Sequence, residues 1–452
     1  MIDRLRRGNQ FRYDAYRFDA PSGLLTCHYS LDDRRFEEQV RVPAGTRPVD
    51  EAADAAARLV FLLAGVSYYK TAAPPLIDLG EVAVTDLERE FLRGFYLDGL
   101  GEFAYRNQLD LTDLDIEGPR AAPARATPSQ PQPPRPLVPF GGGIDSIVAV
   151  DLVRAAHPDT ALFVVNWQGD RFAAIEAPAA VTQLPVVRAE RTLDPALHPL
   201  TAGNQRFFNG HVPVTGILSA VAVLTAVLTG RNSVVMSNEW SASSATVDTA
   251  NGVVNHQYSK SLAFEAGYRE VLAATSVIDV DFFSALRPYS ELWVAERFAR
   301  LPQYHRHFRS CNRAFHIDRA KRLDHWCGHC DKCCFIDLIL APFLRGEDLA
   351  AIFGGAEPLA DPALIDRFRA LVGLTGTSKP FECVGDVTES RTALRLAAAR
   401  SDRAGTATLR QLAAELTCLP QPDLPDLDAA ALMRPLGPHF IPSGYAPQDL
   451  LV

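Results

Sequence analysis

The sequence predicts an α/β fold built on a doubly wound, mostly parallel sheet. Two observations predict it: short strand patterns that are apolar throughout alternate with helical patterns, and polar residues follow the ends of these strands. A strand that is apolar throughout must be covered on both faces, as in parallel sheets whose strands are joined by helices. With 452 residues, of which 47% are hydrophobic, the chain can form two or three domains with a sizeable core.

Antiparallel strands are predicted at the start of the chain. The strand patterns, with a turn signal at 19–23 after the first, are 11–18, 24–29 and 38–42. A helical pattern covers 51–64, and another begins at Thr85, where Thr85 and Glu88 have the spacing of a capping box. We therefore expect an N-terminal α+β domain over residues 1–116.

A segment with seven prolines, residues 117–136, predicts a linker or an exposed loop. Strand and helix patterns then alternate: strand 137–140, helix 145–156, strand 161–165, helix 173–180, strand 185–188, helix 214–228 and strand 233–236. This alternation predicts the parallel sheet. We expect a nucleotide-binding domain over 137–345 and a helical C-terminal extension over 346–452.

A glycine-only loop follows the first strand of this series. Residues 140–146 read Phe-Gly-Gly-Gly-Ile-Asp-Ser and lead into a helix. Glycines let the backbone approach an anion, and the first helical turn offers unpaired N–H groups. The spacing is neither that of the Gly-Lys-Ser/Thr phosphate loop nor that of a dinucleotide fingerprint. A structural turn can have the same composition.

The glycine loop resembles the Ser-Gly-Gly-x-Asp-Ser loop of the PP-loop ATP pyrophosphatases, with Gly141 in the place of the first serine. The resemblance implies a sheet of PP-loop type and the splitting of ATP into AMP and diphosphate. In open parallel sheets, ligands bind beyond the carboxyl ends of the strands. The polar residues at those ends are 166–168, Glu190 and 237–241, and a further polar cluster covers 255–261. Such clusters are typical of substrate sites, although ordinary polar loops share the composition.

The second strong pattern is a cysteine cluster. Cys327, Cys330 and Cys333 are separated by two residues each, and Cys311 precedes them. This spacing lets four thiolates converge on one zinc ion, although cysteines are also often buried as packing residues. Cys334 would then be a buried neighbour or a free thiol. The arrangement resembles the zinc knuckle of 7-cyano-7-deazaguanine synthase, another PP-loop enzyme.

A series of motifs gives a closer resemblance, to the UDP-N-acetylmuramoyl-L-alanyl-L-glutamate epimerases. The motifs lie at 67–70, 141–146, 237–243, 255–261, 311–316, 326–334 and 380–385. The resemblance covers most of the chain outside the linker and the C-terminal tail. It implies an ATP-consuming isomerase that inverts the terminal L-Glu of a UDP-linked muramoyl dipeptide in peptidoglycan precursor synthesis, with ATP and Mg²⁺ as cofactors.

Residue roles follow as hypotheses. The resemblance implies that backbone groups of Gly141, Gly142 and Gly143 hold the diphosphate together with the Ser146 hydroxyl. Asp145 would help to place Mg²⁺, and strand-end backbone at Val165 and Asn166 would lie near the nucleotide. For the two proton transfers we favour His256, Tyr258 and Lys260, with Glu239 and Cys383 as reserves, because each can carry a proton at a tuned pKa. Cys334 is a second thiol to consider, since two opposed thiols can invert an amino acid.

Charge and hydropathy argue against a protein that binds nucleic acid, is exported or spans a membrane. A net charge of −9 without a Lys/Arg cluster argues against nucleic acid as a partner. The N-terminus lacks the apolar core of a signal peptide, and the uncharged run 212–228 is too short for a comfortable membrane span. We therefore expect a cytoplasmic enzyme without a membrane partner.

Two alternatives to the epimerase remain at this point. One is another PP-loop enzyme, an adenylating ligase or a nucleobase-modifying enzyme that uses the same ATP chemistry. The other is a non-catalytic nucleotide sensor, suggested by the glycine at position 141. The proton-transfer pair, the residues that contact the UDP or the sugar, and the oligomeric state are not predicted by the sequence.

Overall fold

The computed structural model of the chain describes residues 7–44, 50–122, 132–201, 207–249, 252–316, 318–374, 379–418, 428–447 and 450. Its strands are β1 (Gln10–Asp19), β2 (Leu24–Leu31), β3 (Arg34–Arg41), β4 (Leu76–Asp78), β5 (Asp115–Glu117), β6 (Pro136–Pro139), β7 (Ala161–Asn166), β8 (Val186–Thr192), β9 (Ser233–Met236), β10 (Val247–Thr249), β11 (Gly252–Val254) and β12 (Asp281–Ser284). Its α-helices are α1 (Glu51–Ala64), α2 (Val66–Tyr69), α3 (Asp86–Leu97), α4 (Gly101–Asn107), α5 (Ile144–Ala156), α6 (Ala173–Thr182), α7 (Leu197–Thr201), α8 (Val214–Thr229), α9 (Leu262–Thr275), α10 (Glu291–Ala299), α11 (Asp331–Leu340), α12 (Gly346–Ile352), α13 (Ile365–Leu371), α14 (Val387–Ala398), α15 (Ala407–Thr417) and α16 (Ala429–Leu432).

Ten strands form one continuous sheet in the order β12-β9-β6-β7-β8-β3-β2-β1-β4-β5. The neighbours from β12 to β8 pair in parallel, as do β1, β4 and β5, whereas the pairs β8–β3, β3–β2 and β2–β1 are antiparallel. Six of the nine pairings are therefore parallel. The α/β class and the mostly parallel sheet are confirmed, as are the antiparallel strands at the start of the chain.

The junction between β3 and β8 joins the antiparallel part to the parallel part. The sequence predicted β8 only as far as residue 188, but the strand continues to Thr192 because Glu190–Thr192 pair with Gln39–Arg41. A buried ion pair accompanies this pairing, since Arg191 Nε donates to Glu38 Oε1 at 2.7 Å. The predicted domain boundaries stay predictions, and residues 123–131 of the predicted linker lie outside the described residues.

Both faces of the parallel strands are buried, which explains their unbroken apolar sequences. Leu137, Phe163 and Val234 belong to a core on one face, and the adjacent residues Val138, Leu162 and Val235 belong to a core on the other. This alternation follows from the two-residue period of a strand. Helices therefore cover the sheet on both sides, as the sequence pattern predicted.

The uncharged run predicted as a buried helix is α8, and most of its apolar residues lie in the core, where it packs against α1. Within the described residues, the segment Glu51–Tyr69 alone is long and apolar enough to cross a membrane. Because 78% of its most apolar window is buried inside the protein, core packing accounts for its composition. The predicted capping box is confirmed, with the Thr85 and Glu88 side chains accepting from each other's backbone N–H groups.

Helices α12 to α16 lie in the segment for which a helical extension was predicted, residues 346–452. Helix α11, which precedes them, packs against α10, α13 and α14. A second capping box, formed by Asp386 and Glu389, begins α14. These helices bring residues that are distant in the sequence to the carboxyl ends of β6 and β9, where the predicted site lies.

Candidate active site

The glycine loop lies between β6 and α5. Gly142 has a φ of +76°, and a Cβ atom there would lie 2.4 Å from the carbonyl oxygen of Ala174, so only glycine fits. A Cβ atom at Gly141, in contrast, would meet nothing within 4 Å. Gly143 is the N-cap of α5 and supplies no capping side chain, and the Ser146 hydroxyl donates to the Gly143 carbonyl at 3.0 Å. The first-turn N–H groups of α5 therefore lie next to the glycine loop without a side-chain cap.

Three carboxylates converge beside this loop. Asp145 lies on α5, Glu239 follows β9 and Glu291 begins α10, and one oxygen of each lies within 4.8 Å of the others. Glu239 and Glu291 are only 2% and 3% exposed. Asp145 Oδ1 and Glu291 Oε2 are buried without a hydrogen-bond partner among the described residues. Burial and the neighbouring carboxylates raise the pKa of Asp145 to about 6 and that of Glu291 well above its usual value.

These buried oxygens have the chemistry of a divalent-cation site. Hard cations such as Mg²⁺ take carboxylate oxygens as ligands, and a bound cation would satisfy the orphaned oxygens of Asp145 and Glu291. Glu389 adds a fourth carboxylate nearby, and its Oε1 accepts from the Glu291 backbone N–H at 2.8 Å. Burial raises the pKa of Glu389 to about 7. So many perturbed acids in one place are typical of a functional site.

Cys383 lies beside these acids, in contact with positively charged groups. Lys260 Nζ donates to Cys383 Sγ at 3.4 Å, and His256 Nε2 lies 3.9 Å from the same sulfur. Lys332, on α11, donates to the Cys383 carbonyl oxygen. Burial opposes ionisation of the thiol, but the charges of Lys260, His256 and Lys332 outweigh it and lower the pKa of Cys383 to about 6.

The pKa of His256 shifts in the opposite direction from that of Cys383. Burial disfavours its protonation, but hydrogen bonds with Cys383 and Glu102 outweigh burial and raise its pKa to about 9. At neutral pH the two side chains therefore form a thiolate–imidazolium pair, in which each can carry a proton. Glu102 belongs to α4 and accepts a hydrogen bond from His256 Nδ1. The N-terminal part of the chain thus contributes directly to this site.

Three other predicted residues, Tyr258, Val165 and Asn166, have different surroundings. The Tyr258 hydroxyl lies near Gly94 and Asp98, and Tyr258 lines a cavity of about 390 Å³ with Asn255 and Ser243. Burial raises the pKa of Tyr258. Val165 and Asn166 end β7, the neighbour of β6 in the sheet. Asn166 Oδ1 accepts from Arg188 at 3.3 Å, and its Nδ2 is buried without a partner among the described residues.

Another cavity, of about 360 Å³, lies at the opposite ends of the strands. It is lined by Ser233 and Asp281, which begin β9 and β12, together with Arg269 and Tyr445. None of the predicted site residues lines it. Because the perturbed acids, the thiolate and the glycine loop all lie at the other ends of the strands, the candidate active site is there.

The four predicted metal ligands come together. The sulfur of Cys333 lies 3.4 Å from that of Cys330 and 3.5 Å from that of Cys327, and the Cys311 and Cys330 sulfurs are 4.0 Å apart. Tetrahedral zinc with Zn–S bonds of about 2.3 Å requires sulfurs about 3.8 Å apart. The cluster therefore fits one tetrahedral metal ion. Cys334 is buried outside the cluster, and burial raises its pKa.

Residues next to the cluster cysteines in the sequence contact the Cys383 segment. Cys330 is the N-cap of α11, the helix that carries Lys332 to the Cys383 carbonyl. Asn312, next to Cys311, donates to both carboxylate oxygens of Glu382, at 2.7 and 2.8 Å. A metal in the cluster would therefore fix both sides of the segment that holds the thiolate.

Comparison with known proteins identifies the family. The family model described as the MurL N-terminal domain matches residues 3–285, and the one described as the MurL C-terminal domain matches residues 307–425. The chain belongs to the MurL family. The N-terminal MurL domain supplies Glu102, Asp145, Glu239 and His256, whereas the C-terminal MurL domain supplies the cysteine cluster, Lys332 and Cys383. The candidate site thus needs both.

Curated relatives match almost the whole chain. A protein of Xanthomonas oryzae is 39% identical over 96% of this chain and 95% of its own, and one of Salinispora tropica is 38% identical over 98% and 96%. A protein of a Micromonospora strain is 37% identical over 98% of both chains. All three are named UDP-N-acetyl-alpha-D-muramoyl-L-alanyl-L-glutamate epimerase. The predicted resemblance is confirmed, and these names do not favour the ligase or the sensor.

Four site residues were missed from the sequence: Glu102, Glu291, Lys332 and Glu389. Glu291 follows Ser290, whose side chain caps α10, so a helix start was readable there but its approach to Asp145 was not. Lys332 lies inside the predicted cysteine motif, where the spacing of the cysteines was the stronger signal. No local pattern marks Glu102, because its partner His256 is 154 residues away.

Proposed function

We propose that this chain is an ATP-dependent epimerase that inverts the terminal L-glutamate of UDP-N-acetylmuramoyl-L-alanyl-L-glutamate and releases AMP and diphosphate. The observation that carries the proposal is one constellation: a glycine loop, three buried carboxylates and a thiolate–imidazolium pair beyond the same strand ends. An enzyme that activates a carboxylate with ATP and then moves its α-proton needs these parts side by side. The names of the relatives support the substrate. A cytoplasmic location belongs to the same proposal.

The nucleotide step uses the loop between β6 and α5, and we infer a sheet of PP-loop type. The glutamyl α-carboxylate attacks the α-phosphorus of ATP, and diphosphate leaves against the backbone of Gly141–Gly143 and the Ser146 hydroxyl. Val165 and Asn166 lie at the next strand end, on the nucleotide side. Asp145, Glu239 and Glu291 would hold Mg²⁺, and a bound Mg²⁺ would supply positive charge for the phosphate oxygens.

Adenylation explains how a weakly acidic α-proton becomes removable. An unmodified glutamyl carboxylate is already negative, so the enolate formed by deprotonation would carry a second negative charge. Joining the carboxylate to AMP removes the first charge and makes the α-proton more acidic. After inversion, water cleaves the acyl–phosphate bond and releases AMP. The ammonium groups of Lys260 and Lys332, which both contact Cys383, would stabilise the negative charge of the enolate.

For the proton transfers we assign the acceptor to Cys383. Its thiolate is maintained by Lys260 and His256, and a thiolate is the form that takes a proton. His256 and Lys260 both flank the sulfur, and we assign the return of a proton to one of these two. Glu239 faces the carboxylate cluster and Tyr258 faces a separate cavity, so they take second place.

We also infer one structural zinc ion, held by Cys311, Cys327, Cys330 and Cys333. Zinc in a four-thiolate site has no open position for chemistry and contributes folding energy instead. Its place here is to fix α11, and through it Lys332, against the segment of Cys383.

The test is to incubate the protein with the UDP-linked L-Ala-L-Glu dipeptide, ATP and Mg²⁺, and to determine the configuration of glutamate after acid hydrolysis. We expect D-glutamate to appear with one AMP and one diphosphate per inversion, and no D-glutamate without ATP. The matched variant is Cys383→Ala, which should form far less D-glutamate. Release of AMP with exclusively L-glutamate would contradict the proposal and favour an adenylating ligase. No AMP under any condition would favour a nucleotide sensor.

A further inference from the structure

We propose that Glu102 is a positioning residue for proton transfer, which holds the His256 ring by its Nδ1 atom so that Nε2 faces Cys383. This inference rests on the proposed function, because it concerns the same thiolate–imidazolium pair. It gives the N-terminal part of the chain a task in the chemistry, since α4 carries Glu102 to a site built otherwise from later segments.

Hydrogen bonds fix Glu102 on both sides. One carboxylate oxygen accepts from His256 Nδ1, and the other accepts from Arg106 Nε at 2.6 Å. Glu102 is only 6% exposed and His256 is largely buried, so water screens the contact between them little, whereas the Arg106 side chain is half exposed. With Nδ1 committed to the carboxylate, the remaining ring nitrogen is Nε2, which lies 3.9 Å from Cys383 Sγ. A carboxylate that orients an imidazole, which in turn exchanges a proton with a reactive group, is a recurring arrangement in catalysis.

His211 serves as an internal comparison. Its ring centroid lies 4.5 Å from that of His256, and its Nδ1 is 3.7 Å from the same Glu102 oxygen, beyond hydrogen-bond distance. Burial, together with the charge of His256, lowers the pKa of His211 to about 4. The pKa values of these two neighbouring imidazoles are therefore shifted in opposite directions. The one that is hydrogen-bonded to Glu102 and faces the thiol is the one that is charged.

The titratable groups around His256 explain why the carboxylate matters. Lys260 and Cys383 face it from the catalytic segments, His211 and Lys70 lie on the neighbouring loop and helix end, and Arg106 lies on α4. Most of these groups are cations, which disfavour a further positive charge. Without Glu102, His256 would lose its proton more readily, and Cys383 would lose one of the charges that keep it ionised.

The three side chains of Glu102, His211 and His256 also have the ligand types of a metal site, with ligand atoms within 4.8 Å of one another. The cations Lys70, Arg106 and Lys260 around them oppose the binding of another cation. We therefore favour proton positioning, and metal binding becomes one of the outcomes that would overturn it.

The test compares Glu102→Gln with the wild type and with Glu90→Gln, which removes an exposed carboxylate on α3. The rate of iodoacetamide alkylation is measured from pH 4.5 to 9.5, and the peptide that contains Cys383 is followed by mass spectrometry. We expect the midpoint for Cys383 to rise by about one pH unit or more in Glu102→Gln and to be unchanged in Glu90→Gln. An unchanged midpoint in a folded Glu102→Gln protein would overturn the proposal. Because alkylation needs no substrate, this result stands even if the proposed epimerase activity is absent.

Kinetics supply the second arm. We expect Glu102→Gln to lower kcat for inversion by about tenfold or more with KM within about threefold of wild type. The double variant Glu102→Gln/His256→Gln should be no slower than His256→Gln, because Glu102 acts through His256. Additive losses would contradict the proposal, as would a second metal ion per chain that Glu102→Gln removes. Glu102→Ala, which also loses the hydrogen bond, should be slower than Glu102→Gln.

Discussion

The glycine loop offers a matched pair of substitutions with opposite expected results. Gly142→Ala places a Cβ atom at a φ of +76° and 2.4 Å from the carbonyl oxygen of Ala174, whereas ordinary contact begins at 3.4 Å. The left-handed backbone costs a residue with a Cβ atom about 1–2 kcal/mol, and crowding in a packed site adds about 1–3 kcal/mol. The loop or the start of α6 must therefore move by about 1 Å. In Gly141→Ser the new Cβ atom meets nothing within 4 Å, so we expect serine to fit there without movement of the loop.

The assay is AMP formation from ATP and the UDP-linked dipeptide, with circular dichroism as the control for folding. A displacement of about 1 Å at a site that aligns a leaving group reduces the rate about 100-fold. We expect a loss of that order in kcat/KM for Gly142→Ala and a change within about threefold for Gly141→Ser. A folded Gly142→Ala protein with wild-type AMP formation would refute the placement of diphosphate against this loop. Equal damage from both substitutions would refute the steric reasoning.

Three further predictions follow from the site. First, the inversion rate plotted against pH should be bell-shaped. Activity needs Cys383 to be ionised, which requires a pH above its pKa of about 6, and His256 to be protonated, which requires a pH below its pKa of about 9. A profile that is flat from pH 5 to 10 would contradict the thiolate–imidazolium pair. Second, Lys260→Met removes an ammonium 3.4 Å from the sulfur, so the alkylation midpoint of Cys383 should rise by about two units or more, and an unchanged midpoint would contradict this assignment. Third, the purified protein should contain one zinc ion per chain, and the Cys330→Ser variant should lose both the zinc and thermal stability. If metal analysis finds no zinc in the wild type, the four cysteines are packing residues and the zinc assignment is wrong.

Local patterns in the sequence were sufficient for the elements around the glycine loop. The strand before it, the loop itself and α5 were predicted to within one or two residues, because a short apolar run, glycines and a helical period follow each other without interruption. The cysteine cluster was predicted for the same reason, since three of its four ligands lie within seven residues. Such features depend on neighbours along the chain, and a single sequence displays them directly.

Contacts between distant segments were beyond local patterns. The pairing of β3 with β8 depends on packing between residues that are about 150 positions apart, and nothing near Gln39 or Glu190 marks the other. The same is true of Glu102, whose hydrogen bond to His256 exists only once α4 has packed against β11 and the segment that carries His256. Cys383 was held in reserve from its motif alone. Its contacts with Lys260 and His256 give it the principal role in the proposed chemistry.

The most direct test of the central claim is isotopic. The protein is incubated with the UDP-linked L-Ala-L-Glu dipeptide, ATP and Mg²⁺ in heavy water, and the glutamyl α-carbon is examined by mass spectrometry and NMR. The account holds that ATP activates the glutamyl carboxylate and that Cys383 and its charged neighbours then exchange the proton on the adjacent α-carbon. The D-glutamyl product should therefore carry one deuterium at that carbon, and the label should appear only when ATP is present. D-glutamyl product without deuterium, or equal labelling without ATP, would contradict the account.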